Sequence, residues 1–248
     1  MASLSAAQLD FYRTHGFLPL PELFAARHVA ALRLRLEELA ARWDSPAYSP
    51  RLEQEPETRF GTLPPGPETV RKLSNLARED ASFYAHARSA LLLDVVEQLL
   101  GVPLALYSDE ALLKPPRYGS EKPEHQDHDY LQVDPADAAV SCWTAVDDAD
   151  AENGCLHFYP GTHLEGLLRH VTPEDAPRQL ASRPVREQSL PVRIVAGGCI
   201  LYHPLVVHWS PANRSSRWRR AFVCRYVRSD ALLRGRQPNS PPLLEVRA

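Results

Sequence analysis

The feature that most constrains the fold is a change of texture near Leu104. Upstream of it, Val29, Leu32, Leu36 and Leu39 recur at three- and four-residue steps, which predicts a helix from about Leu23 to Trp43. Ser5-Ala6-Ala7-Gln8 reads as a capping box, and Gly16 can close the short helix it starts. A further helix is predicted near Ser89–Leu100, ending at Gly101. Downstream, apolar residues fall in short alternating or continuous runs separated by turn residues, at 104–114, 139–146, 155–159, 192–196, 199–203 and 220–228. Gly197-Gly198 reads as a hairpin turn between two of them. Many short strands behind a helical leader predict a mainly β protein with flanking helices, its core a double-stranded β-helix of the jelly-roll, cupin-like kind. A chain of 248 residues fits one domain, with a helical part over about 1–103 and the jelly roll over about 104–230. Residues 44–69 are rich in proline and poor in apolar residues, which predicts a loop long enough to act as a mobile lid.

Charge and composition remove several function classes. The formal net charge of −3 gives no general pull toward nucleic acid or an anionic membrane. Arg214, Arg217, Arg219 and Arg220 do cluster, but one basic segment balanced by acid elsewhere is a poor nucleic-acid footprint. No apolar run approaches the length of a membrane span. Met1-Ala2-Ser3-Leu4 has neither a basic nor an apolar signal region. Cys142, Cys155, Cys199 and Cys224 lack metal-site or redox spacing, so free thiols in a reducing cytoplasm are expected. The oligomeric state is not legible.

The chemistry sits in His125-Gln126-Asp127, followed 83 positions on by His208 and a further 11 by Arg219. Two imidazoles and one carboxylate suit Fe(II) bound on one face, with the opposite face open to a chelating cosubstrate and O2. On a strand, His125 and Asp127 at i and i+2 would point the same way and Gln126 the other. His203 is a rival for the distal histidine, and Arg220 is the fallback for Arg219. A guanidinium entering a neighbouring strand can fork onto the far carboxylate of 2-oxoglutarate. The same three ligands would also suit a structural zinc, so a non-catalytic jelly-roll module that binds a metal or ligand is the alternative.

The wider pattern is more specific. Pro123-Glu124-His125-Gln126-Asp127 follows Leu113-Lys114-Pro115-Pro116; Glu152-Asn153-Gly154-Cys155-Leu156 runs into Pro160-Gly161-Thr162-His163; His203-Pro204 leads to His208-Trp209-Ser210, with Asn213 and Arg219 behind. This ordered set resembles the phytanoyl-CoA dioxygenase family of Fe(II)/2-oxoglutarate oxygenases over roughly residues 8–228. The resemblance implies His125, Asp127 and His208 as iron ligands, with His208 favoured over His203. It implies Arg219 and Ser210 on the distal carboxylate of 2-oxoglutarate, with Lys72 and Trp143 beside the cosubstrate. Asn153-Gly154 and Pro160-Gly161 read as turns. Asp127 implies hydroxylation or a related oxidation, because related halogenases lack that carboxylate. Trp209 departs from the glycine usual between His208 and Ser210. Glu110 stands where relatives carry an uncharged neighbour of the cosubstrate, a position where a carboxylate needs a proton or a partner. Tyr130 could line the substrate pocket or fill core. The partners implied are 2-oxoglutarate, O2 and a small-molecule substrate whose identity the sequence does not name; the segments 44–69 and 164–190 are the expected substrate loops.

Overall fold

Amphipathic strands must bury one face, and here two sheets do so against each other. The computed structural model of the protein describes residues 2–46, 52–173, 179–182, 188–236 and 242–248. The larger sheet has eight antiparallel strands: β1 (Phe17–Leu20), β2 (Leu52–Gln54), β3 (Val70–Ser74), β4 (Leu104–Lys114), β7 (Ala139–Ala145), β12 (Cys199–Tyr202), β14 (Arg219–Arg228) and β16 (Leu244–Arg247). They run in the order β1-β12-β7-β14-β4-β3-β2, with β16 also on β4. The smaller sheet orders β11 (Leu190–Val192), β8 (Leu156–Phe158), β13 (His208–Ser210) and β5 (Lys122–His125). Two short ladders pair β6 (Val133–Asp134) with β15 (Leu232–Leu233) and β9 (His170–Val171) with β10 (Gln179–Leu180).

The period of two along β14 shows how the layers are built. Ala221 and Val223 pack with Trp143, Phe158 and Val192 between the sheets. Phe222, Cys224 and Tyr226 point the other way, onto the helices α2 (Ala26–Ala40), α4 (Ala81–Ala87) and α5 (Ala90–Leu100). Burying leucines such as Leu32, Leu36 and Leu92 there contributes about 1.5–3 kcal/mol each. The predicted jelly roll with flanking helices is the observed architecture. No helix of the described residues is long and apolar enough to cross a membrane.

Local signals and local outcomes can be compared directly. The Ser5–Gln8 capping box forms and α1 (Ala6–His15) stops at Gly16, whose φ is +81°. Gly197, at φ +94°, closes the turn before β12, and a Cβ there would lie 2.4 Å from the Phe24 carbonyl oxygen. The long helix is shorter than predicted, beginning at Ala26 with no side-chain cap. β1 was not predicted; it gains its ladder from β12, 179 to 185 positions away (Leu20 opposite Cys199 to Phe17 opposite Tyr202), which local pattern cannot show. The run predicted at 192–196 is displaced to Leu190–Val192, with Ile194 making only an isolated bridge to Ala149. Residues 44–69 are not wholly loop: β2 pairs with β3, and α3 (Pro56–Arg59) follows. Residues 47–51 of that segment, and 174–178 and 183–187 of the other expected substrate loop, lie outside the described residues.

Candidate active site

β5 and β13 are neighbours in the smaller sheet, and His208 stands directly opposite His125. Their ring centroids are 4.3 Å apart. Each Nδ1 donates to a carbonyl two residues back, Pro123 at 2.8 Å and Val206 at 3.0 Å. That fixes both rings and turns both Nε2 lone pairs inward. Asp127 Oδ1 lies 3.5 Å from His125 Nε2 and 3.7 Å from His208 Nε2. The three ligand atoms all lie within 4.8 Å of one another, in a buried cluster. Burial pushes His125 and His208 below the usual imidazole range, His208 to about 3, so both are neutral donors at neutral pH.

The expected strand geometry of this motif is corrected by the structure. β5 ends at His125, and Asp127 has helical φ −58° and ψ −28° as the chain turns into α6 (His128–Leu131). The carboxylate therefore reaches the histidines around a turn and not across a pleat. Gln126 holds the turn: its Nε2 donates to the Gly166 and Leu205 carbonyls and its Oε1 accepts from Leu168 N–H.

Asp127 is anchored by groups the sequence reading did not single out. Its Oδ2 accepts from Arg225 Nε at 3.0 Å, Ser141 Oγ at 2.9 Å and Tyr202 OH at 3.3 Å. Tyr130, half in solvent, donates its OH to Oδ1. Arg225 also donates to Glu110 Oε1 at 2.6 Å, and Lys72 Nζ lies 3.3 Å from Glu110 Oε2 and 3.1 Å from Glu53. Burial alone would raise both carboxyls. Arg225 outweighs it, holding Asp127 well below the usual range and, with Lys72, bringing Glu110 to about 2. Glu110 is thus an ionised, paired carboxylate. Arg225 was legible in principle, since it shares a strand face with Arg219 at i+6.

Beyond the triad the same cavity, of about 780 Å³, is closed by Arg219, Trp143, Ser210 and Leu156. Arg219 is 3% exposed; it donates to the Leu112 carbonyl at 3.2 Å and lies 5.6 Å from the Trp143 ring. Its Nε and the Trp143 Nε1 are buried donors without partners among the described residues. Arg220 points to the opposite face, where Asp147 and Glu37 take its guanidinium at 2.7 and 2.5 Å. His203 is likewise elsewhere, bonded to Asp137 at 2.8 Å. Lys114 is buried, its ammonium shared by the Ser120, Ser210 and Pro211 carbonyls. Together with Asn213, which donates to the Lys114 and Arg217 carbonyls, it braces the corner between β13 and β14. Trp209 lies in the cavity wall, its Nε1 on Ser189 and its ring against His157. Gln54, Arg59 and Phe60 from the early segment, and Thr172 and Pro173 from the later one, line the same cavity.

This donor set fits a divalent metal and a dicarboxylate. Two neutral imidazoles and an ionised carboxylate converge on one side, and the open side faces the Arg219 guanidinium, whose Nε–H lacks an acceptor among the described residues, and the Trp143 indole, whose Nε1–H lacks one too.

Comparison with known proteins gives the family and the fold. The sequence profile of phytanoyl-CoA dioxygenase (PhyH) matches residues 12–221. "Phytanoyl-CoA dioxygenase domain-containing protein 1" of Bos taurus is 29% identical over 265 residues, covering 90% of this chain and 90% of its own length. Among solved structures, the epimerase SnoN in complex with Fe3+, alpha ketoglutarate and nogalamycin RO superposes with a TM-score of 0.74 at 22% identity, covering 97% of this chain and 93% of that one. EctD from S. alaskensis with 2-oxoglutarate and 5-hydroxyectoine superposes at 0.77 and 20% identity, over 97% and 83%. At such identities the structures share the jelly-roll fold. The profile match, running from α1 into β14, establishes more: the chain belongs to the phytanoyl-CoA dioxygenase (PhyH) family and is an oxidoreductase.

Proposed function

We propose that this protein is an Fe(II)/2-oxoglutarate-dependent dioxygenase that hydroxylates, or otherwise oxidises, a small organic substrate, with 2-oxoglutarate leaving as succinate and CO2. The observation that carries the reading is one cavity with two half-sites: three converging ligand atoms, and beyond them the buried Arg219 Nε and Trp143 Nε1 donors, without acceptors among the described residues. His125 and His208 would hold the iron through Nε2 and Asp127 through Oδ1. The chemistry that these three residues would gain by holding iron is activation of O2 with 2-oxoglutarate as the reductant.

The chain's own residues do the positioning. The Pro123 and Val206 carbonyls orient the imidazoles; Arg225, Ser141 and Tyr202 hold the second oxygen of Asp127. Arg219 and Ser210 would receive the distal carboxylate, with Trp143 Nε1 as a further donor. Lys72 takes an indirect part: bound to Glu53 and Glu110, it offsets the charge of Glu110 beside the cosubstrate. Asp127 in the third ligand position supports hydroxylation or a related oxidation. The four free, buried cysteines support a reducing, cytoplasmic setting.

The test is succinate formation from 2-oxoglutarate by anaerobically purified protein on addition of Fe(II) and air. Succinate is expected from the wild type and not from His125→Ala, Asp127→Ala or His208→Ala. A non-catalytic module would bind metal and 2-oxoglutarate without forming succinate, and that outcome would overturn the reading.

A further inference from the structure

The cavity wall carries more positive charge than its own carboxylates answer. Lys72 and Arg225 are matched by Glu53, Glu110 and Asp127. Lys114 is bonded to three carbonyls, and Arg219 awaits the cosubstrate. Two half-buried cations remain in the wall, Lys122 and Arg71, with Arg59 exposed at the rim. Among the described residues, neither the Lys122 ammonium nor the Arg71 guanidinium makes a hydrogen bond or an ion pair; Arg71 acts on the buried Glu55 through charge alone. Glu121, the other carboxylate of the wall, is exposed.

The position of Lys122 is set by the fold. It lies on β5, three residues before His125, and stands opposite Ser210 in the ladder. The charges it feels are Asp127 and Glu110, which favour it, and Arg71 and Lys72, which oppose it. The favourable pair cannot satisfy it: both Glu110 oxygens are taken by Arg225 and Lys72, and those of Asp127 face the histidines, Arg225, Ser141 and Tyr202. Burial holds its ammonium below the usual lysine range. A desolvated cation beside a second cation is costly until an anion arrives. The amide Nε2 of Gln54, in the same wall, is a buried donor with no partner among the described residues. The unmet groups of the lining residues are thus donors, while behind Arg71 the buried Glu55 Oε1 is an acceptor without a partner among the described residues. The surfaces beside this wall are apolar: Trp209, Tyr130, Phe60 and Pro173.

We propose that Lys122 and Arg71 form a second anion subsite in the cavity, and that the substrate is a small organic acid whose carboxylate or phosphate they receive while its apolar body lies on Trp209 and Tyr130. The inference rests on the iron and cosubstrate sites proposed above, because those sites claim the remaining charged groups.

The test uses protein loaded with Mn(II), which is redox-silent here, and 2-oxoglutarate. Binding of phenylacetate, phenyl phosphate and 2-phenylethanol is followed by tryptophan fluorescence and thermal shift. At least one anion should bind tenfold or more tightly than the neutral alcohol. Lys122→Met should erase that preference and Arg71→Met weaken it, while the Kd for 2-oxoglutarate stays within twofold. Lys122→Gln, with a matched melting temperature, guards against a folding defect. Equal binding of the alcohol and both anions, or an unchanged preference in Lys122→Met, overturns the proposal. So does a tenfold loss of 2-oxoglutarate affinity in Lys122→Met with the probes unaffected, which would assign Lys122 to the cosubstrate. Failure of the wild type to bind 2-oxoglutarate would instead count against the proposed function, and the probe preference in the metal-free protein would still test the subsite.

Discussion

Replacing Arg219 by methionine separates cosubstrate recognition from stability. In the free protein this guanidinium is buried, bonds only the Leu112 carbonyl, and is pushed down to about 10 by burial. It carries a desolvation cost that a carboxylate would offset. Two charge-assisted hydrogen bonds to a carboxylate are worth about 1.5–3 kcal/mol each. Their loss should weaken 2-oxoglutarate by about 3–6 kcal/mol, between roughly 100- and 20,000-fold at about 1.4 kcal/mol per tenfold. Because no acid partner is left behind, the unliganded variant should lose at most about 1 kcal/mol of stability. Arg220→Met should behave in the opposite way. It strips Asp147 and Glu37 of a partner, although Arg33 still reaches Asp147 at 2.8 Å, so about 1–3 kcal/mol of stability should go with 2-oxoglutarate affinity unchanged. Isothermal titration of the Mn(II)-loaded proteins with 2-oxoglutarate, beside urea unfolding of the free proteins, reads both quantities. An Arg219→Met variant that binds 2-oxoglutarate within threefold of wild type would refute the reasoning. So would equal affinity losses in the two variants.

Three further outcomes are expected. Arg225→Met leaves Asp127 and Glu110 buried without their shared cation; it should destabilise the protein by about 3–5 kcal/mol and weaken Co(II) binding, read from its visible spectrum, by about 10- to 100-fold. Unchanged Co(II) affinity would show that Asp127 needs no such anchor. His125→Ala or His208→Ala should abolish tight Co(II) binding while His203→Ala keeps it, and the reverse pattern would reassign the distal ligand. His86 is buried against His28 and Thr144, with burial lowering it to about 3 from an ordinary 6.5. The unfolded chain binds its proton first, so this stability is complete above pH 6.5 and is lost as pH falls toward 3, by about 1.4 kcal/mol per unit well inside that window. Urea unfolding between pH 7 and 4.5 should be less pH-dependent in His86→Gln than in wild type; Asp109, raised to about 6 by burial, acts with the opposite sign in both proteins and cancels in the comparison. Parallel slopes would mean that His86 titrates normally.

Features carried by short-range physics were legible without the fold. The Ser5–Gln8 box, the Gly16 stop, the stripe of α2 and the strands β4, β7 and β14 each depend on a periodicity or cap within a few residues. Arg219 and Arg220 could also be told apart in principle, because adjacent residues on a strand face opposite ways. The order of His125, Asp127, His208 and Arg219 was enough to expect the chemistry, since ligand types and order survive in the linear chain. Whatever depended on partners distant in sequence was not legible. The turn that carries Asp127 toward the histidines is held by carbonyls of Gly166 and Leu205, 40 and 79 positions from Gln126. β1 and β2 exist because β12 and β3 offer them ladders. The charge state of Glu110 is decided by Arg225, 115 positions away, and the commitment of Lys72 leaves Lys122 as the unmatched ammonium. Residue type and local spacing thus determined which groups this protein has available; burial and long-range pairing decided which of them are already neutralised and which still call for a ligand, because Coulomb and desolvation energies depend on distance in space and not along the chain.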